Sequence, residues 1–275
     1  MIIATLLLLT TPKVDLDVVY AKVGSDELKM DIYYPTAPKS GPSPVFVAVH
    51  GGAWMGGKRQ DMSELCQGAA AKGFLAATVQ YRLAPRSKWP AMIDDVQTAV
   101  RYLRANASKY EIDPKRVAAG GASAGGHLSL LLGYRDTRDP KPEHFPKESS
   151  KVGAVLDIFG PSDLGRDFPA TFDFLYQAVF GKPKSESAKD VEEASPMSYI
   201  AKGVPTFIVH GTADELVPIV QSKRLKEKLD QAKIPVDAVF IEGMGHSDGG
   251  DDPAKRKAFR EALDKGLDFI LKHLK

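Results

Sequence analysis

A chain of 275 residues, 43% of them apolar, can bury one large core, which excludes a disordered or fibrous polypeptide. Its 37 Lys and Arg are intermixed with 35 Asp and Glu, leaving a formal charge of +2 and no basic block or acidic tail to mark a nucleic-acid partner. The one cysteine, Cys66, rules out an internal disulfide framework and a cysteine-rich metal site, and its helical setting reads as a buried thiol.

Residues 1–12 carry an apolar run too short to span a bilayer, without the positive start or the A-x-A cleavage site of a full export signal. They read either as the remnant of such a signal or as an arm packed on the domain, and the chain as exported or cytoplasmic rather than membrane-embedded. Residues 13–275 read as a single domain. Two alternating runs, VDLDVVYAKVG and DELKMDIYYP, flank Gly24-Ser25 and predict an antiparallel hairpin. After the Pro- and Gly-rich PTAPKSGPSP, short wholly apolar runs recur: VFVAV, FLAATV, RVAA, VGAVLDIF, TFIVH and VDAVFI. Most are separated by stretches of helical period. Met92, Val96, Ala99, Val100 and Leu103 share one helix face; in the last segment Phe259, Leu263, Leu267, Ile270 and Leu274 do the same. This alternation predicts an α/β fold with a mostly parallel central sheet, the N-terminal antiparallel hairpin at its edge and helices on both faces. Residues 165–203 break the rhythm with several aromatics and then KPKSESAKDVEEASP, and read as a small cap-like insertion, not a second domain.

The stretch VAAGGASAGGHLSLLLG, residues 117–133, places a serine among Ala and Gly between a predicted strand and a predicted helix. Small residues forgo burial energy, so close packing must require them here. The G-x-S-x-G spacing over Gly121, Ser123 and Gly125 fits a strained turn that lifts the Ser123 hydroxyl above the carboxyl end of the sheet, where ligands bind in open α/β folds. An inert serine in a Gly-rich turn would share the pattern. A phosphate-binding loop would need the Lys of G-x-x-x-x-G-K-[ST], which is missing.

A serine hydroxyl needs a base, and the base an orienting acid. Of the six histidines, His273 and His144 lie in charged or polar stretches and read as solvated, while His50 and His210 read as structural and His127 as a packing or pocket residue. His246, on the Gly-rich loop after the run VDAVFI, is the candidate base. Asp214, on the loop after TFIVH, is the candidate acid. Glu215 is its main rival, Asp248 lies too close to His246 to be preferred, and Asp214 as a helix N-cap is the plain alternative. For the oxyanion, HGGAW after a buried strand offers the Gly52 and Ala53 amides, and the start of the next helix after Ser123 offers that of Ala124.

HGGAW, YRLAP, WPAMIDDV, GASAGGHL, GPSDL, HGTADELVP and GMGH, in that order from about residue 18 onward, resemble the esterase/lipase branch of the α/β-hydrolase superfamily. The closest likeness is to the carbohydrate-esterase-like group with feruloyl and acetyl-xylan esterases, with hormone-sensitive-lipase-like esterases as neighbours. The resemblance implies an α/β-hydrolase fold and a serine carboxylesterase acting through an acyl-enzyme on a small-molecule ester, as monomer or homodimer, with no metal or cofactor. Ala53 stands where the relatives often have a third glycine, and Arg86 where they often have Glu. Arg82 and Asp95 are expected to form a structural pair. The helical cap that precedes the domain in hormone-sensitive-lipase-like enzymes has no counterpart before the hairpin, which suggests an open pocket.

Two other functions are compatible with parts of this pattern: a prolyl-oligopeptidase-like peptidase, which usually adds a bulky aromatic beside the nucleophile and an N-terminal propeller, and a non-catalytic hydrolase-fold binding protein, which typically lacks a triad residue. For the substrate pocket, Trp54, Phe168, Phe172, Phe174, Tyr176 and Phe180 are candidates, about half of them expected to line the site. The pocket is expected to be short and to favour acetyl to butyryl esters.

Overall fold

The computed structural model describes residues 12–37, 41–135, 138, 139, 142–168 and 170–274, so all but the last residue of the 1–12 segment lies outside it. Among the described residues one eight-stranded sheet runs in the order β1-β2-β4-β3-β5-β6-β7-β8. The strands are β1 (Val14–Val23), β2 (Asp26–Tyr33), β3 (Ser43–Val49), β4 (Leu75–Val79), β5 (Ile112–Ala122), β6 (Ala154–Ile158), β7 (Thr206–Gly211) and β8 (Val236–Ile241). The helices are α1 (Ser63–Ala71), α2 (Ala91–Ala105), α3 (Ala107–Tyr110), α4 (Ala124–Tyr134), α5 (Phe174–Phe180), α6 (Ala188–Ala194), α7 (Val220–Gln231) and α8 (Pro253–His273). The hairpin forms as expected: β1 pairs antiparallel with β2, and β2 antiparallel with β4, while every later pairing is parallel.

The strand order reverses between β3 and β5, because β4 pairs on the outer side of β3 and the chain then crosses back to add β5 on the other. Such a reversal opens a crevice beyond the carboxyl ends of the two strands. The loop after β3 holds HGGAW, and the turn after β5 holds Ser123.

One face of the sheet packs on α2 and α4, with Met92, Val96, Val100, Leu128 and Leu131 buried; the other packs on α1 and α8, with Cys66, Phe74, Phe259 and Ile270 buried. The five predicted positions of α2 are all fully buried. On α8 the inward face sits slightly to one side of the predicted one. Leu263 is only partly buried, while Ala262 and Gly266 face the sheet, and a Cβ at Gly266 would run into Leu156 and Phe207. Large residues on β6 and β7 demand small ones opposite, a requirement that periodicity alone does not carry.

Arg82 and Asp95 pair as expected, by two side-chain contacts of 2.7 and 2.9 Å and a bond from the Arg82 amide. Arg86 reaches back to Asp26 at the hairpin turn, 2.7 Å away, and so fastens its loop to the sheet edge. One buried polar group stands apart. Asp157 on β6 is fully buried, accepts the Gly160 amide at 3.0 Å through Oδ1, and among the described residues finds no partner for Oδ2. Burial, only partly offset by that amide, pushes its pKa up to about 8.

Candidate active site

Ser123 sits between β5 and α4 with φ 56° and ψ −121°, a conformation that costs a non-glycine residue about 1–3 kcal/mol. The turn is held on both sides: its amide donates to the Ile158 carbonyl at 2.9 Å, and its carbonyl accepts from His127 at 3.0 Å. The small residues of the motif are explained by contact. A Cβ at Gly121 or Gly125 would collide with the Val49 carbonyl, so α4 could not approach β3.

Asp214 follows β7, and its carboxylate is wholly buried. The His246 ring donates to Oδ2 through Nδ1 at 2.7 Å, leaving Nε2 free to accept a proton. Oδ1 accepts the amides of Leu216 and Val217, each at 2.9 Å. The plain reading and the catalytic one therefore occupy different oxygens: Oδ1 closes the turn that leads toward α7, while Oδ2 faces the imidazole. Glu215 and Asp248 are exposed, and Asp248 instead accepts the Gly250 amide at 3.2 Å.

His210, expected to be structural, belongs to this cluster. Its Nε2 lies 3.1 Å from Asp214 Oδ2 and 2.9 Å from the Val217 carbonyl, and its Nδ1 lies 2.7 Å from the Ser222 hydroxyl. A carbonyl only accepts, so Nε2 carries a proton and donates there. Burial alone would raise the pKa of Asp214, but the His210 and His246 rings and the Val217 amide outweigh it and hold the carboxyl well below the usual range. The signal in the sequence is a histidine ending a buried strand four residues before the acid. Phe159 was also missed. Its ring lies 4.5 Å from that of His246, and its amide donates to the Val209 carbonyl at 2.7 Å.

After β3 the backbone takes three left-handed residues in succession, Gly52, Ala53 and Trp54, at φ 107°, 52° and 59°. The Gly52 carbonyl accepts the amides of Met55 and Gly56, each at 2.9 Å. Among the described residues the Gly52 and Ala53 amides donate to no other backbone group. Ala124 opens α4, where a helix amide has no intrahelical acceptor. The loop abuts the elbow: a Cβ at Gly51 would lie 3.3 Å from that of Ser123. His50 is buried, stacks on Tyr81 at 4.3 Å and supports the loop from below, as a structural residue should.

Beside this loop lies a small apolar pocket with a cavity volume of about 30 Å³. Trp54, Phe168, Phe172, Tyr176 and Phe180 line it, joined by Leu164, Leu175 and Val179. Phe174 does not; it is 56% exposed. Residues 175, 176, 179 and 180 share one face of α5, and Phe174 falls on the other, a consequence of helical spacing. Tyr176 turns its hydroxyl away to the Leu164 carbonyl at 2.5 Å. Among the described residues no helix is long and apolar enough to cross a membrane.

Comparison with known proteins places this arrangement in a family. The BD-FAE family model matches residues 30–229. The esterase LipC of Mycobacterium tuberculosis is 34% identical over 226 residues, which are 79% of this chain and 56% of LipC, so the chain spans about half the length of that relative. The fold of the Thermogutta terrifontis esterase Est2 with propionate bound superposes with a TM-score of 0.80 at 25% identity, covering 96% of this chain and 95% of that one. A truncated carbohydrate esterase from gut microbiota gives 0.80 at 26% identity, covering 95% and 98%. With its mostly parallel sheet and the serine turn at the strand-order reversal, the chain is a member of the BD-FAE family and has the α/β-hydrolase fold of these esterases.

Proposed function

We propose that the chain is a serine carboxylesterase with Ser123 as nucleophile, His246 as base and Asp214 as the orienting acid. The contact of 2.7 Å between His246 Nδ1 and the buried Asp214 carboxylate carries the reading, because it leaves Nε2 as the acceptor a serine hydroxyl needs. As Ser123 Oγ attacks the ester carbonyl, its proton passes to His246 Nε2. The carbonyl oxygen becomes an oxyanion that the Gly52, Ala53 and Ala124 amides face as donors. Collapse expels the alcohol, which takes the proton from His246. Water then attacks the acyl-enzyme by the same route and frees the acid and Ser123.

The pocket beside Trp54 receives the acyl group in this reading. Its small volume and apolar lining favour short acyl chains, acetyl to butyryl, in keeping with the propionate bound in the Est2 structure. Alcohol groups of aromatic or sugar type would extend into solvent, and the similarity to a carbohydrate esterase supports the sugar class. Residues 165–203 serve as the cap over this site. The test is a fluorophosphonate probe together with Ser123→Ala. The native chain should be labelled at Ser123 and should turn over 4-nitrophenyl acetate; the variant should remain folded and do neither. Near-full turnover by the variant would reassign the nucleophile.

A further inference from the structure

His127 lies one turn into α4 and is wholly buried. Its two ring nitrogens serve two other parts of the molecule. Nδ1 accepts the indole N–H of Trp54 at 3.2 Å, and Nε2 donates to the Ala194 carbonyl at the end of α6 at 2.6 Å. An indole N–H only donates and a carbonyl only accepts, so these partners fix the neutral tautomer with its proton on Nε2. The Trp54 and His127 rings also meet edge to face, with centroids 5.1 Å apart at 87°.

Trp54 closes the left-handed run that begins at Gly52, and its carbonyl accepts the Ala84 amide at 2.9 Å. Its ring and its backbone are therefore both anchored. The same ring forms one wall of the apolar pocket, while α5, from the segment that also carries α6, forms another. His127 is thus bonded to both the oxyanion loop and the insertion, and it stands on the helix that begins at the nucleophile.

We infer that His127 is a positioning residue for the reaction: through Trp54 it sets where the Gly52 and Ala53 amides point, and through Ala194 it holds the insertion in register with that loop. The inference rests on the oxyanion role proposed above for those amides. His127 acts through Trp54, not on the reacting atoms.

The test uses 4-nitrophenyl acetate and three single variants. His127→Leu removes both bonds at similar volume. His127→Asn keeps a side-chain oxygen able to accept the Trp54 N–H. Trp54→Phe removes the donor and keeps a ring. In folded His127→Leu, kcat should fall about tenfold or more with KM within about twofold, since outright loss of one oxyanion donor costs about 10²–10³. His127→Asn should recover most of that loss. Trp54→Phe should lose kcat as well, and adding it to His127→Leu should cost little more, because the Trp54–His127 bond is already lost in that variant. Wild-type kcat in folded His127→Leu, a loss confined to KM, or losses that multiply in the double variant would overturn the inference. If His127→Leu does not fold, wild-type kcat in Trp54→Phe overturns it instead. A native chain that hydrolyses no 4-nitrophenyl ester refutes the esterase reading, whereas an active native chain with unaffected variants refutes only the role of His127.

Discussion

Asp157→Asn should change how the stability of this protein depends on pH. The native carboxyl has a pKa of about 8 against 3.8 for an ordinary aspartate, because burial disfavours its charged form. Between those values the folded chain keeps a proton that the unfolded chain releases. The sign follows: this carboxyl's contribution to stability is greatest below about pH 4, declines as pH rises, and stops declining above about pH 8. Each pH unit in that window costs about 1.4 kcal/mol, so the penalty grows by about 4 kcal/mol between pH 5 and pH 8. Asparagine has nearly the same shape and no proton to lose. Its amide, in the place of the unpartnered Oδ2, costs about 1–3 kcal/mol, but that cost does not vary with pH. The offset between native chain and variant should therefore move by about 4 kcal/mol in favour of the variant from pH 5 to pH 8. Urea unfolding at pH 5, 6, 7 and 8, compared at a common m value, measures it. An offset constant within about 1 kcal/mol across that range would refute the reasoning. His127 has the opposite sign in part of the window. Burial draws its pKa down to about 4 from 6.5, so it favours the fold above about pH 6.5 and loses that contribution as pH falls toward 4. Between about pH 4 and 6.5 the two slopes oppose each other in the native chain, and Asp157→Asn removes the falling one.

Asp214→Asn should lower turnover on the order of 10⁴-fold, whereas Glu215→Gln, an exposed side chain, should leave it within about twofold; the reverse result would move the acid to Glu215. Among 4-nitrophenyl esters, kcat/KM should peak between acetyl and butyryl, because each methylene left outside the pocket forgoes about 0.8 kcal/mol of transfer energy. A maximum at decanoyl or longer would contradict the short pocket.

What could be read from the sequence was what local chemistry dictates. Five of the six apolar runs became strands buried on both faces, which leaves no polar alternation, while VDAVFI became the half-exposed edge strand β8; Ser123 was legible because only small neighbours tolerate its turn. Asp214 and His246 could be named because each follows a strand on a loop of turn-forming residues. Their contact, however, depends on the neighbouring placement of β7 and β8. His210 looked like any polar residue at a strand end; its role comes from facing the same carboxylate oxygen across the turn. The inward face of α8 depended on Leus and Phes of other strands, which helical period does not encode. Phe174 was misplaced because aromatic content was counted across the insertion without its helical phase. Asp157 stood in plain view in VGAVLDIF, yet nothing local distinguishes a buried unpartnered carboxyl from one that finds a cation.

The carboxyl end of β6 touches both proposed partners in proton transfer. The Ile158 carbonyl holds the Ser123 amide at 2.9 Å, and the next residue, Phe159, lays its ring 4.5 Å from that of His246. Nucleophile and base thus share a common mount, although they lie far apart in the chain. A change in β6 therefore reaches the nucleophile through a backbone bond and the base through a ring contact. Mutations that loosen β6 should then disturb both residues at once, without touching either.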